Sequence, residues 1–494
     1  MVKKALPQYM RIKESLIEEI RLGKYQPFET IPSELKLSEI FGVSRLTIRR
    51  ALNELVLEGL LIREQGRGSY VTAKAIPGKI RLNFLATDFQ AELIGNALAK
   101  AYMNHNDSIE INVLSAPYDA VPEHFRTEFI CHQGNIDIIM VPFSFMSEYV
   151  LDGKLEILDQ YIKNAGLDFS DYLIDSNGKP VIDNTCSFNI AGIGPRRFGI
   201  PFQNDIYTLV YRKDLFEKYN LSVPTTPDEY AQAARTLTGS KDNNDRIIPY
   251  GTVLNAKRTR SDFAEDFINF LWAFGGELFT DDFVPLINSP AGKKGLKFYK
   301  SLLEYAPPEC INYNIFDSIR AMREGKVAMM MNWSSDIGIL EDPNFSEVSG
   351  KLGYALFPPE SPQIAGWELA IPYDSAHKEE AFSFIKFATG ASSEVMKIYA
   401  NRHILPYWRS VIKNSEFKKM CPCAEIAIDA WRKGRVWGRF KDNIALMEIT
   451  SLYGSYALSG VLEPDEALEE ISKAFTTLIK KEIKLMKSFH LKDS

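Results

Sequence analysis

Between Ile31 and Val71 the chain reads IPSELKLSEIFGVSRLTIRRALNELVLEGLLIREQGRGSYV, and no other stretch limits its possible folds so tightly. Upstream, residues 6–24 form a first expected helix, with Ile12, Leu16, Ile17 and Ile20 on one face at helical spacing. Pro32 precedes Ser33, a suitable N-cap, and Leu35, Leu37, Ile40 and Phe41 are expected to supply the buried side of a second helix that Gly42 ends. Ser44 caps a third, SRLTIRRALNELVLEG, with Leu46, Ile48, Ala51, Leu52 and Leu55 expected to face inward. After Gly59, LLIREQGRGSYVT gives strand, polar tip and strand, a hairpin with Arg67 between two glycines.

Two helices joined by a short glycine-containing turn match a helix-turn-helix, whose second helix enters the major groove; the hairpin adds a wing. At the start of the third helix, Arg45, Thr47 and Arg49 point away from its apolar stripe. Arginine reads guanine with two hydrogen bonds, and threonine meets a phosphate or a thymine methyl. Ser33, at a helix start with free backbone N–H groups, suits a phosphate. The charge distribution agrees. The whole chain carries −6, but residues 1–75 hold 13 Lys and Arg against 9 Asp and Glu, leaving the remainder with 45 against 55. A basic head on an acidic body confines any polyanion partner to the head.

The stretch 31–71 closely resembles the winged helix-turn-helix of the GntR repressor family, with the pattern L-P-S-E, G-V-S-R-x-T-V-R, E-G-L and G-x-G-T. It departs at Ile31 for Leu, Ile48 for Val and Ser69 for Thr. Carried over position by position, the resemblance implies DNA contacts from Ser33, Arg45, Thr47, Arg49, Arg67 and Gly68, with Glu34 a further candidate.

Several classes are set aside. Arg11, Lys13 and Glu14 occupy the place where a signal peptide needs its apolar region, and the longest apolar candidate, FINFLWAFGG, is too short to span a membrane. A cytoplasmic protein is expected. The five cysteines show neither zinc spacing nor C-x-x-C. Cys131 and His132 are adjacent, and neighbours on a strand point to opposite faces, so they do not form a nucleophilic pair. No enzyme is expected, and no cofactor or metal site.

Residues 76–81, around Pro77–Gly78, read as a linker. Beyond it, IRLNFLAT, IEINVLSA and IDIIMVPF are buried-strand candidates separated by helical segments such as FQAELIGNALAKAYM, which indicates an α/β sheet domain. Ligands gather at the carboxyl ends of such strands, here Thr87, Asp88 and Phe143. A pyridoxal-phosphate aminotransferase-like body would need a lysine in a serine-rich turn, and no S-x-S-K segment is found.

GIPFQNDIYTLVYRKDLFEKYNLSVPTTPDEYAQAARTLT instead resembles the family 1 (sugar-type) extracellular solute-binding proteins. So do FINFLWAFGGELFTDD, MREGKVAMMMNWSS, GYALFPPESPQIAGWELAIPYDSAHKEEAFSFIKFATG and EPDEALEEISKAFTTLIKK, in the same order, over roughly residues 80–490. Ala365 stands where many members have the first Gly of G-G-W. Sugars offer apolar C–H faces to rings and hydroxyl edges to carboxylates and amides. The resemblance therefore points to Asn204 and Asp205 at the first lobe crossing, Trp272 before Gly275–Gly276, Trp333 at a strand end, and Trp367 and Glu368 at the return crossing. Each of these residues taken alone also suits a core or a hinge.

The expected architecture is an N-terminal α+β winged helix-turn-helix (residues 1–75), a linker (76–81) and a C-terminal two-lobed α/β periplasmic-binding-protein-like domain of type II (82–494). Lobe 1 is expected at about 82–205 and 368–405, lobe 2 at about 206–367 and 406–494. The expected function is a homodimeric, ligand-responsive repressor that binds operator DNA and senses a sugar or oligosaccharide between its lobes. Two alternatives stay open: a carbohydrate-binding, transport-associated protein with a vestigial head, and a regulator of a non-sugar solute.

Overall fold

The computed structural model describes residues 7–21, 24–25, 29–64, 68–72, 79–117, 125, 127, 134–190, 192–259, 261–438 and 440–488. Arg67, Cys131, His132 and residues 76–78 of the expected linker lie outside them. The chain divides into two compact units, residues 1–82 with 103–112 and residues 83–102 with 113–494.

In the first unit, α1 (Gln8–Arg21), α2 (Glu34–Phe41) and α3 (Arg45–Leu57) precede the antiparallel hairpin of β1 (Leu61–Glu64) and β2 (Gly68–Val71). Caps fix the helix ends. Ser33 Oγ accepts the Lys36 N–H, Gly42 takes a left-handed φ of 62° to close α2, and Ser44 Oγ accepts the Thr47 N–H. Ile12, Leu16 and Ile20 of α1 pack with Leu37, Ile48, Ala51, Leu52, Leu55, Leu61 and Val71 in one apolar core. Lys13 pairs with Glu58, and the Arg50 guanidinium lies 3.9 Å from the centre of the Tyr9 ring, tying α1 to α3. Residues 29–31 add a third edge to the hairpin through Ile31 N–H to Ser69 O and Val71 N–H to Glu29 O.

Three leucine and isoleucine positions face the other way from the expectation. Leu35, Ile40 and Leu46 are 55%, 58% and 76% exposed. Ile48, Ala51, Leu52 and Leu55 follow the i, i+3, i+4, i+7 stripe that α3 buries, and Leu46 stands two residues ahead of it, about 200° around the helix. In the short α2 only Leu37 is buried, because a helix of two turns presents a single line to the core.

The second unit is built around one long strand. The strands β3 (Ile80–Thr87) and β4 (Ile109–Ala116), whose first residues are counted with the first unit, β5 (Ile138–Pro142), β6 (Ile200–Arg212), β7 (Met329–Trp333), β8 (Leu352–Leu356) and β9 (Ile364–Ala370) include all three segments expected from sequence. FQAELIGNALAKAYM is helical, with a wide π turn at Ala91–Gly95. Strands run in the order β7-β6-β9-β5-β3-β4, with β8 also on β6. β6 changes partners midway. Residues 200–206 pair with β9, while Tyr207–Tyr211 pair with β7 and Thr208–Arg212 with β8. Of its 13 residues only Tyr211 is not fully buried. A strand buried on both faces and shared by two halves reads as a continuous apolar run, and of its polar exceptions Gln203, Asn204, Asp205 and Thr208 cluster at or near its change of partner, while Arg212 closes its far end.

Helices flank this sheet: α4 (Pro227–Leu237), α5 (Asp262–Ala273), α6 (Ile315–Arg323), α7 (Ile337–Glu341) and α8 (Ser393–Ala400), with two longer C-terminal ones at Asn443–Leu458 and Pro464–Ser488. No helix among the described residues is long and apolar enough to cross a membrane. Gly251 shows how closely α4 is packed. A Cβ there would fall 1.8 Å from the Ala234 carbonyl oxygen and 2.5 Å from its carbon, both backbone atoms. Gly251→Ala is predicted to cost about 1–3 kcal/mol of stability through overpacking, read as a lower urea midpoint at unchanged slope.

Candidate functional site

In the first unit the sequence-named residues surround the start of α3. Arg45 is exposed, and Thr47 Oγ1 lies 2.8 Å from Ser44 Oγ. Glu34 and Arg49 meet directly. The Glu34 carboxylate receives Arg49 Nη2 at 2.9 Å and Nε at 3.2 Å, and on its other side Arg63 Nη2 at 2.8 Å. Hydrogen bonding from Arg49 holds the Glu34 carboxyl below its ordinary range. This fork links α2, α3 and β1, and it sets the direction of a guanidinium that is still 53% exposed. Ser33 uses its hydroxyl on its own helix, and Gly68 opens β2 at a φ of 103°. Arg63 is the member that sequence reasoning missed. Its place on β1 carries no motif, and only the fold brings it to Glu34.

In the second unit, Asp205 lies where β6 changes partner, 4% exposed. Its carboxylate accepts Ser334 Oγ–H at 2.8 Å, Ser335 Oγ–H at 2.8 Å, Ser335 N–H at 3.0 Å and Ile206 N–H at 3.2 Å. Burial pushes this carboxyl up to about 6 against the pull of those donors. Asp205 thus anchors the turn that follows β7. Asn204 points its Oδ1 at Trp431 Nε1–H, 2.5 Å away, and its backbone N–H bonds Leu405 O.

Trp333 closes β7 with its ring edge on Tyr207, centroids 4.8 Å apart, and donates Nε1–H to Glu265 Oε2 at 3.2 Å. Behind it, Asp266 accepts from Tyr207 Oη and Tyr299 Oη, and Asn255 Nδ2 donates to Tyr207 Oη. Trp367 and Glu368 lie on β9, opposite Pro142 and Val141 of β5, and Glu368 is wholly buried. Phe143 starts the helix after β5 and is buried. Trp272 is buried in the apolar core that also holds Tyr207, with the Arg435 guanidinium 4.9 Å above its ring. Thr87 is buried and caps the helix after β3, and Asp88 is exposed.

A cleft of about 650 Å³ opens beside the Asp205 anchor. Its walls come from Phe89 and Leu93 after β3, Arg323 at the end of α6, the segment from Ser335 to Phe345, and Asn401, Arg402 and His403 after α8. The volume suits a small ligand. None of the nine residues named from sequence lines it, yet three touch its frame: Thr87 and Asp88 lead into Phe89, and Asp205 holds Ser335. Phe89 and Phe316 meet edge to face at 6.1 Å. Arg402, His403 and Arg323 belong to no motif, and chemistry alone would not have separated them from other surface cations. Among the described residues no group of three or more His, Cys, Asp and Glu is placed to hold a metal ion.

Glu265 gives the site a pH signature. Burial and the neighbouring Asp262 push its carboxyl up to about 8 from 4.5. The native state therefore holds this proton more tightly than the unfolded chain. The resulting stabilisation is complete below about pH 4.5 and lost as pH rises through about 8. Glu265→Gln, which keeps an acceptor for Trp333, is predicted to flatten that decline and to exceed the native chain by roughly 1 kcal/mol or more at pH 9. Urea titrations across the range measure it, and an unchanged slope would assign the decline to other carboxyls.

Comparison with known proteins matches two families. Residues 90–395 match bacterial extracellular solute-binding proteins, and residues 8–71 match bacterial regulatory proteins of the gntR family. A mannitol-binding protein of Pseudomonas aeruginosa is 23% identical over 348 residues, covering 68% of this chain and 75% of its own. The HTH-type transcriptional repressor NagR of Bacillus subtilis is 48% identical over 67 residues, 14% of this chain and 28% of the repressor. Maltose-bound MalE3 of T. maritima superposes with a TM-score of 0.71 at 21% identity, covering 81% of this chain and 100% of that one. A solute-binding protein of Agrobacterium radiobacter in complex with ribitol gives 0.70 at 25%, covering 81% and 99%. The C-terminal part is thus a two-lobed α/β periplasmic-binding-like fold behind a helix-turn-helix segment.

Proposed function

Because the chain belongs to the bacterial extracellular solute-binding protein family and carries a GntR-family helix-turn-helix domain at its N-terminus, we propose that it is a transcriptional repressor that senses a sugar or polyol. Neither family is one of enzymes. The observation that carries the reading is the pairing of two parts in one chain: a DNA-reading helix start with Arg45 and Arg49 exposed, and a small-ligand cleft beside the Asp205 anchor. The mannitol-binding relative and the maltose and ribitol complexes support a polyhydroxylated ligand.

In this reading Arg45 and Arg49 read base edges, Thr47 and Ser33 meet backbone phosphates, and Glu34 aims Arg49. A homodimer places two heads on half-sites about 10 base pairs apart, or a multiple of that. Ligand shifts DNA affinity only through its differential affinity for two arrangements of the sensor. Residues 1–75 act as the head, the segment from 76 to the start of β3 at Ile80 as a linker shorter than the expected 76–81, and the chain from β3 onward as the sensor, working in the cytoplasm where the operator lies.

Two measurements test this. Replacing both Arg45 and Arg49 with Ala is expected to weaken operator binding tenfold or more in a gel-shift titration while leaving ligand-induced thermal shifts intact, since each bidentate base contact is worth about 1–3 kcal/mol. Persistent specific retention would remove the major-groove assignment. In a thermal-shift panel of mannitol, ribitol, maltose and related sugars, a true ligand at a hundred times its Kd should add about 2.7 kcal/mol of stability. Silence across the panel would redirect the reading to a non-sugar solute.

A further inference from the structure

The cleft beside Asp205 holds two arginines that form no ion pair among the described residues. Arg402 is half-buried, and the one hydrogen bond of its side chain among the described residues is a long one, Nη1–H to Ile398 O at 3.5 Å. Arg323 donates Nε–H to Phe345 O at 2.9 Å, with its guanidinium 5.8 Å from the Phe345 ring centre. Neither arginine forms an ion pair among the described residues, although twenty-odd other pairs are spread over the same molecule.

The cleft's two carboxylates are otherwise engaged. Glu341 accepts from Tyr354 Oη–H at 2.7 Å and from Gly350 N–H at 2.6 Å. Asp342 accepts the Asn344 N–H at 2.8 Å and its Nδ2–H at 2.9 Å, folding its own loop. Acids that are satisfied by neutral donors and cations that are left unpaired make the recess locally receptive to an anion, even though the formal charges of these four side chains cancel. Taking a guanidinium part-way out of water without an anion is costly, and burial accordingly pushes the Arg402 guanidinium below its ordinary value. A bound anion would offset that cost.

We propose that the ligand of this cleft is an anionic sugar derivative, bearing a phosphate or a carboxylate that Arg402 and Arg323 receive. The planar guanidinium matches either group with paired hydrogen bonds, which a neutral hydroxyl cannot exploit. The rest of the recess suits a sugar body: Phe89 and Ile339 offer apolar surface to C–H faces, and Asn401 offers an amide to hydroxyls. The inference rests on the sugar-sensor reading and narrows it. A sensor of this kind responds to a sugar that a kinase, a phosphotransfer step or an oxidation has already charged, rather than to the neutral compound.

The test uses the full chain and matched sets of probes: glucose, glucose 6-phosphate and glucuronate; mannose and mannose 6-phosphate; mannitol and mannitol 1-phosphate; and inorganic phosphate alone. Titration calorimetry at fixed ionic strength is expected to show, in at least one set, a charged member binding tenfold or more tightly than its neutral counterpart. The phosphate and uronate arms tell which anion is taken. Arg402→Gln should bring that ratio to within about twofold while leaving the unliganded urea midpoint equal or higher, and Arg323→Gln should lower the ratio in part. In the unaltered chain, charged-ligand affinity should weaken between 0.05 and 0.5 M NaCl while neutral-ligand affinity holds, a readout that needs no variant. Neutral members binding as well as charged ones, or a charge preference that survives Arg402→Gln, would overturn this inference and leave the sugar sensor standing. Binding of inorganic phosphate with no sugar of either kind, or no binding at all, would overturn both.

Discussion

One strand that serves two sets of partners organises the sensor. β6 pairs through residues 200–206 with β9 and through residues 207–212 with β7 and β8, so the two sets of strands share a single backbone. At the change of partner the chain needs a fastening that does not depend on sheet pairing. Asp205 provides it: one buried carboxylate collects four donors, three of them from Ser334 and Ser335. Leaving those donors unsatisfied would cost about 1–3 kcal/mol apiece. The recess beside the anchor is therefore framed by the same bonds that hold the strand and the following turn together.

The helix-turn-helix uses a carboxylate differently. Glu34 is a fork between two arginines at the surface, where ion pairs contribute about 0–1 kcal/mol to stability. Its worth lies in direction. Arg49 leaves α3 already oriented, so less side-chain freedom remains to be lost when a partner docks. Fully buried, a carboxylate here fixes the backbone; half-buried, it aims a side chain.

Local chemistry was legible from the residues, and encounters between distant segments were not. Ser44 and Thr47 revealed the start of α3 because an N-cap is satisfied within three residues. β3 and β5 were legible as apolar runs bounded by polar ends. The outward turn of Leu35, Ile40 and Leu46 was hidden, since apolar residues spread around a short helix do not say which line the core takes. Asp205 stood out at a lobe crossing, but Ser334 and Ser335, some 130 positions away, announce nothing by themselves. Arg402 was less visible still, because only the fold brings it to the recess that Arg323 also faces. Trp272 drew attention as a ring and proves to be a stacking platform for Arg435.

Leu46, 76% exposed between Arg45 and Thr47, brings a different force to the start of α3. Whatever surface covers this helix end removes a leucine from water, a gain of about 1.5–3 kcal/mol if burial is complete. Added salt screens the arginines beside it and leaves that gain in place. Association at this face therefore keeps a floor at high ionic strength that charge alone would not provide.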